Sequence, residues 1–241
     1  MVKQTLTWRR DPSGERCMII TLPGHSAPHT LLSQLARFLH ANPLPGVRDI
    51  VPAAHSLGIH YQPEVLWRID NSLSPYSQLV NRLDAILSRF SPQETEQGRE
   101  MVIPVCYQGE YAPDLINIAQ HCGISPEEVV SRHQQKVVDV LMLGFLPGHP
   151  YLGALDAIFT LPRRATPRLS VAKGSIGIAN QMGVIYPLTS PGGWNLIGRT
   201  PLTLFSTERQ PACLLQAGDR VRFRAIDEAE FKALEEMPYV A

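Results

Sequence analysis

The sequence of 241 residues predicts a small α+β domain followed by a mainly-β domain, either a closed barrel or a sandwich. Three observations carry this. The N-terminal part reads strand, helix, strand, strand, helix. A polar, unpatterned stretch, Ser91–Gly98, then interrupts the apolar periodicity and has the composition of a linker. Beyond Pro162, proline and glycine turn signals recur every few residues between short apolar pieces, as in barrels and sandwiches. The expected domains are residues 1–92 and 99–226, with 227–241 as a C-terminal helix or tail.

In chain order, an early strand is expected near Thr5–Trp8, and Cys17–Leu22 is an apolar run stopped by Pro23-Gly24. Ser26–Asn42 places Leu31, Leu32, Leu35, Phe38 and Leu39 on one helical face, and Pro43, Pro45 and Gly46 end it. Val47–Ala53 and Ser56–Tyr61 read as strands. A second helix begins near Ser74 and carries Leu79, Leu83, Ile86, Leu87 and Phe90 at helical intervals. Met101–Tyr107 restarts the chain as a strand, and a short helix covers Asp114–His121. Ser125-Pro126-Glu127-Glu128 has an N-cap serine, a proline at the first helical position and Glu128 as reciprocal capping partner. Val137–Leu143 is a buried strand. Ile176–Ile178, Val184–Tyr186, Leu202–Phe205 and Val221–Phe223 are short strands, and Asp227–Glu236 is a terminal helix.

Composition excludes several function classes. Net charge is zero and only 18% of residues are charged, so no overall basic excess points to nucleic acid. No apolar run approaches a membrane span or a signal peptide, so a cytoplasmic protein is expected. The four cysteines form no Cys-x-x-Cys pair and the histidines no His-Glu-x-x-His arrangement, so no metal site is expected. A phosphate loop and a dinucleotide fingerprint are absent as well.

The chemistry concentrates between Gly144 and Pro201, which hold nine of the 17 glycines. Ala157–Thr207 contains no Asp or Glu but carries Arg163, Arg164, Arg168, Lys173 and Arg199, which points to an anionic small molecule or an acidic partner. Arg199 and Arg168 offer planar forks for a carboxylate or phosphoryl group, and the amides around Gly192-Gly193 can assist. His149 lies in a glycine loop where a side chain can face a cavity, and Trp194 is either a core plug or a stacking wall for a planar ligand, with the wall preferred. His133 is either a structural hydrogen-bonding residue or a functional one. Gly174-Ser175-Ile176-Gly177 superficially looks like a nucleophile elbow, but its flanks suit a strand-to-strand passage better.

Several longer motifs carry a resemblance. They are Gly144-Phe145-Leu146-Pro147-Gly148, Tyr151-Leu152-Gly153, the segment Pro162–Arg168, Gly174–Ile178, Tyr186-Pro187, and Ser190-Pro191-Gly192-Gly193-Trp194 through Thr200. Together they resemble the KipI / allophanate hydrolase subunit 1 family, which includes a bacterial 5-oxoprolinase subunit. The resemblance implies a cyclophilin-like second domain and a subunit of an ATP-dependent complex that converts 5-oxoproline to glutamate. An allophanate hydrolase-like amidase component and a KipI-like histidine kinase inhibitor are the alternatives. It implies a KipA-like (PxpC-like) partner and a LamB/YcsF-type (PxpA-like) partner. ATP and Mg2+ are implied for the complex, with no cofactor bound by this chain alone. It adds Phe145, Gly148, Tyr151, Ser175 and Tyr186 to His149, Arg168, Gly192, Gly193, Trp194 and Arg199 as the substrate-facing set. Leu146, Tyr151 and Trp194 are the expected partner anchors. The family usually has phenylalanine where His149 stands, so the substrate could differ.

Overall fold

The computed structural model describes residues 7–25, 28–92 and 98–237. The chain divides into two compact units, Met1–Glu96 and Gln97–Ala241. The expected linker falls mostly on 93–97, outside the described residues, as do parts of the expected early strand and of the first helix start.

The first unit contains β1 (Arg9–Pro12), β2 (Cys17–Thr21), α1 (His29–Ala41), β3 (Val47–Pro52), β4 (Ser56–Tyr61), α2 (Pro63–Ile69) and α3 (Pro75–Leu87). Its sheet runs β1-β2-β4-β3, every pair antiparallel. Alternation along β2 and β4 points Met18, Ile20, Leu57 and Ile59 into one core with Leu32, Leu35 and Leu39 of α1 and Leu79 and Leu83 of α3. Each such side chain contributes about 1.5–3 kcal/mol by leaving water. The Ser74 hydroxyl accepts the Ser77 amide and caps α3. The sequence pattern misses α2, and the first described strand is Arg9–Pro12 rather than a run ending at Trp8.

The second unit contains β5 (Glu100–Cys106), α4 (Leu115–Cys122), α5 (Pro126–Gln135), β6 (Val138–Leu143), β7 (Pro150–Gly153) and β8 (Arg168–Val171). There follow β9 (Ser175–Ala179), β10 (Met182–Ile185), β11 (Ser190–Gly192), β12 (Asn195–Arg199), β13 (Arg220–Ile226) and α6 (Glu228–Glu235). Seven strands close a barrel in the order β10-β7-β6-β13-β5-β12-β9. The β5–β13 pair is parallel over its whole length, and the other barrel pairs are antiparallel. β8 and β11 form a separate two-stranded ribbon. The interior is filled by Ile103, Val105, Val140, Leu152, Ile176, Ile178, Ile185, Ile197, Val221 and Phe223, joined by Ile118 of α4 and Val129 of α5.

The start of α5 matches its sequence signature only in part. The Ser125 hydroxyl accepts the Glu128 amide at 3.1 Å, but the Glu128 carboxylate accepts from Arg132 Nε at 2.7 Å instead of reaching back to the cap. His133 of α5 is buried in the barrel core. Its Nδ1 lies 2.7 Å from the Tyr107 hydroxyl, and its ring stacks on Phe223 at 4.1 Å. Leu202–Phe205 is not a strand. It pairs with the following segment through one bridge, Phe205 to Cys213, where the Leu204 and Ala212 carbonyls accept the Leu214 and Ser206 amides and also the Arg209 guanidinium.

Candidate functional site

The outer face of the barrel carries the site. Strand alternation sends Leu152, Ile176, Ile178 and Ile185 inward and leaves Tyr151, Ala179 and Val184 on the other side. With Val171 of β8, Leu196 of β12, Tyr186 and Trp194, these form a second apolar cluster distinct from the barrel core. Trp194 is only 6% exposed, with the Tyr151 ring 6.3 Å away in an edge arrangement. It is therefore a floor of this face, not a projecting anchor. Tyr186 is buried beneath the β8–β11 ribbon, and a Cβ at Gly192 would collide with its hydroxyl, so glycine is what lets the phenol reach under the strand. Burial pushes the Tyr186 phenol up, opposed by a hydrogen bond from the Trp194 backbone and by the positive charges of Arg163 and Arg168.

The Gly144–Gly148 turn closes the face on one side. Gly148 has φ +75°, and a Cβ there would come within 2.8 Å of Phe205 Cβ, so no other residue fits the turn. His149 follows at the foot of the turn, 1% exposed, with its ring 5.4 Å from Phe145, 5.1 Å from Tyr151 and 5.3 Å from Tyr186. Burial lowers its pKa to about 4, against a smaller opposing effect of its own backbone, so the imidazole is neutral at neutral pH.

The Pro162–Arg168 segment is strapped over Trp194. Asn195 Nδ2 donates to the Pro162 carbonyl at 2.8 Å, and the Arg164 amide donates to the Gly193 carbonyl at 2.7 Å. The Arg163 guanidinium stacks over the Trp194 ring at 4.7 Å, and no carboxylate among the described residues pairs with it. Arg164 Nη1 and Arg168 Nη2 both donate to Asp114 Oδ1, at 3.1 and 2.8 Å, while Asp114 Oδ2 accepts the Leu196 amide at 2.8 Å. Asp114 is 3% exposed. The acid-free segment is thus not free of counter-charge in space: a carboxylate from just before α4 supplies it. Two guanidiniums on one carboxylate still leave a positive charge, and Arg164 Nε and Arg168 Nη1 are buried without a hydrogen-bond partner. Such an arrangement suits a planar anion next to a flat apolar ring.

The structure therefore brings Phe145, Gly148, His149, Tyr151, Arg168, Tyr186, Gly192, Gly193 and Trp194 to one face. Arg199 has other contacts. Its Nε donates to the Lys173 carbonyl at 2.9 Å, its Nη2 lies 3.7 Å from Glu235 of α6, and its guanidinium faces the Tyr111 and Phe231 rings. Ser175 is buried at the start of β9, opposite Arg199 in register, and its carbonyl accepts the Tyr186 amide. Leu146 is half-buried within the turn. Asp114 is the site residue that the sequence pattern does not single out, because its partners lie 50 and 54 positions away. Among the described residues, no cluster of His, Cys, Asp or Glu could hold a metal ion, and no helix is long and apolar enough to cross a membrane.

The family model for the carboxyltransferase domain, subdomain C and D, matches residues 8–215. The chain is 38% identical over 203 residues to a 5-oxoprolinase subunit of Bacillus subtilis (strain 168), covering 83% of this chain and 85% of that one. It is 39% identical over 213 residues to the corresponding 5-oxoprolinase subunit of Escherichia coli O157:H7, covering 87% and 92%. Among solved structures, that of TTHA0988 superposes with a TM-score of 0.73 at 34% identity, covering 88% of this chain but only 40% of that longer chain.

Proposed function

The chain belongs to the carboxyltransferase domain, subdomain C and D family, and on that premise we propose that it is one subunit of a 5-oxoprolinase-type complex, an ATP-dependent hydrolase of a cyclic amide. The observation that carries the reading is the pairing of Arg164 and Arg168 with the single carboxylate of Asp114, beside the Trp194–Tyr186 face. The molecule 5-oxoproline is a small flat ring bearing a carboxylate. In this reading its carboxylate meets the guanidiniums of Arg163, Arg164 and Arg168, which border the buried Trp194–Tyr186 cluster. This orients the amide without supplying a nucleophile. Arg199 has its own partners in α6 and is left out of the set.

The partners in this proposal are a KipA-like and a LamB/YcsF-like subunit, in the cytoplasm. The nucleotide and Mg2+ are assigned to them. Asp114 is the acidic side chain of this face, and two guanidiniums and an amide already occupy it, which does not fit a Mg2+ ligand. Mixing the three purified subunits with ATP, Mg2+ and 5-oxoproline should release phosphate and glutamate in equal amounts. Turnover that is undiminished when this chain is omitted would end the proposal.

A further inference from the structure

His149 is placed with more care than a packing role requires. Its backbone is held on both sides, the amide donating to the Leu146 carbonyl at 3.0 Å and the carbonyl accepting from the Gly144 amide at 3.1 Å. Three aromatic rings surround the imidazole, yet Nδ1 is buried without any hydrogen-bond partner. Leaving a buried polar atom unpaired costs about 1–3 kcal/mol, and phenylalanine would fill the same space at no such cost. A group kept at that cost points to a partner that arrives with the ligand.

The ring that covers it is itself unusual. Phe145 is 65% exposed, although it is a large apolar residue, and it has φ +71°, in the left-handed region that a bulky side chain rarely adopts. It meets the His149 ring in a T-shaped arrangement, while Tyr151 and Tyr186 belong to the packed face with Trp194. Backbone held in such a region stores about 1–3 kcal/mol and eases a change of conformation. Phe145 is therefore the wall that can move.

We propose that His149 determines specificity at this site by hydrogen-bonding the N–H of a cyclic amide through Nδ1, with Phe145 as the displaceable cover. The inference rests on the functional reading above and adds the group that recognises the amide, as distinct from the arginines that meet the carboxylate. The N–H and the carboxylate of 5-oxoproline stand on neighbouring ring atoms, so imidazole and guanidinium meet the same edge of the ring and fix its orientation.

Two measurements test it. In the reconstituted complex, KM is determined for 5-oxoproline and for the corresponding ring lactone, in which oxygen replaces the amide N–H. His149→Phe should raise KM for 5-oxoproline by roughly 10-fold, the scale of one lost neutral hydrogen bond, and leave KM for the lactone unchanged. An equal change for both, or none for either, overturns the amide assignment. Separately, carbethoxylation of His149 by diethyl pyrocarbonate is followed by mass spectrometry on the chain and on Phe145→Ala. The cover predicts modification at least several-fold faster in the variant, and an unchanged rate overturns it. A wild-type complex with no turnover of 5-oxoproline overturns the functional reading and the amide assignment with it, while the carbethoxylation result still decides the cover.

Discussion

Replacing Asp114 by asparagine is expected to destabilise the barrel unit by roughly 2–4 kcal/mol, a large fraction of a domain's stability. The carboxylate is nearly inaccessible, and it holds Arg164, Arg168 and the Leu196 amide at once. Asparagine can still accept from the amide but leaves two guanidiniums without a counter-charge. The loss stays below that of a fully buried pair because the arginine side chains are 35% and 25% exposed. Urea unfolding of the variant measures it. A change under about 1 kcal/mol would mean the pairs behave as surface ion pairs, and the positive charge at this face would need another explanation.

Acid should act on the same unit through two buried histidines. Burial lowers His133 to about 3 and His149 to about 4, against an unfolded value near 6.5. Below that value the unfolded chain binds protons that the folded chain does not, so stability falls as pH falls. The loss is absent above the unfolded value and grows by about 1.4 kcal/mol per pH unit for each histidine, reaching about 4 kcal/mol by pH 5. It levels off below about 4 for His149 and about 3 for His133, where the folded state also takes up the proton. The groups facing His133 are the Tyr107 hydroxyl and Phe223, and those facing His149 are Phe145, Tyr151 and Tyr186, so no carboxylate among these neighbours stabilises either imidazolium. Melting curves between pH 7 and 4.5 should show the slope, and His149→Phe should remove about half of it. A flat profile over that window would show that water or a rearrangement already solvates both rings.

What could be read in the sequence was local. The Ser125 cap, the apolar face of α3, the strand over Ser56–Tyr61 and the terminal helix after Asp227 are set by residues within one or two turns of each other, and each lies where the pattern places it. Leu202–Phe205 shows the limit: a four-residue apolar run is the same in a strand and in a packed loop. α2 is too short for helical periodicity to register. The site divides along the same line. Glycine turns and aromatics could be located from motifs, and His149 from its loop, but a loop histidine buried on every side was not readable. Arg199 and Arg168 look alike in sequence. They differ in space because one faces α6 and the other Asp114, partners that lie 36 and 54 positions away along the chain.

That difference gives the most direct test of the central claim, that the ligand's anionic group is met by the Arg164–Arg168 side of the face. In the reconstituted complex, KM for 5-oxoproline is measured with this chain carrying Arg168→Gln or Arg199→Gln, each first confirmed to be folded by its melting curve. The account predicts a rise of at least 10-fold for Arg168→Gln, the scale of a lost charge-assisted hydrogen bond, and no change for Arg199→Gln. A rise for Arg199→Gln with KM unchanged in Arg168→Gln would contradict it.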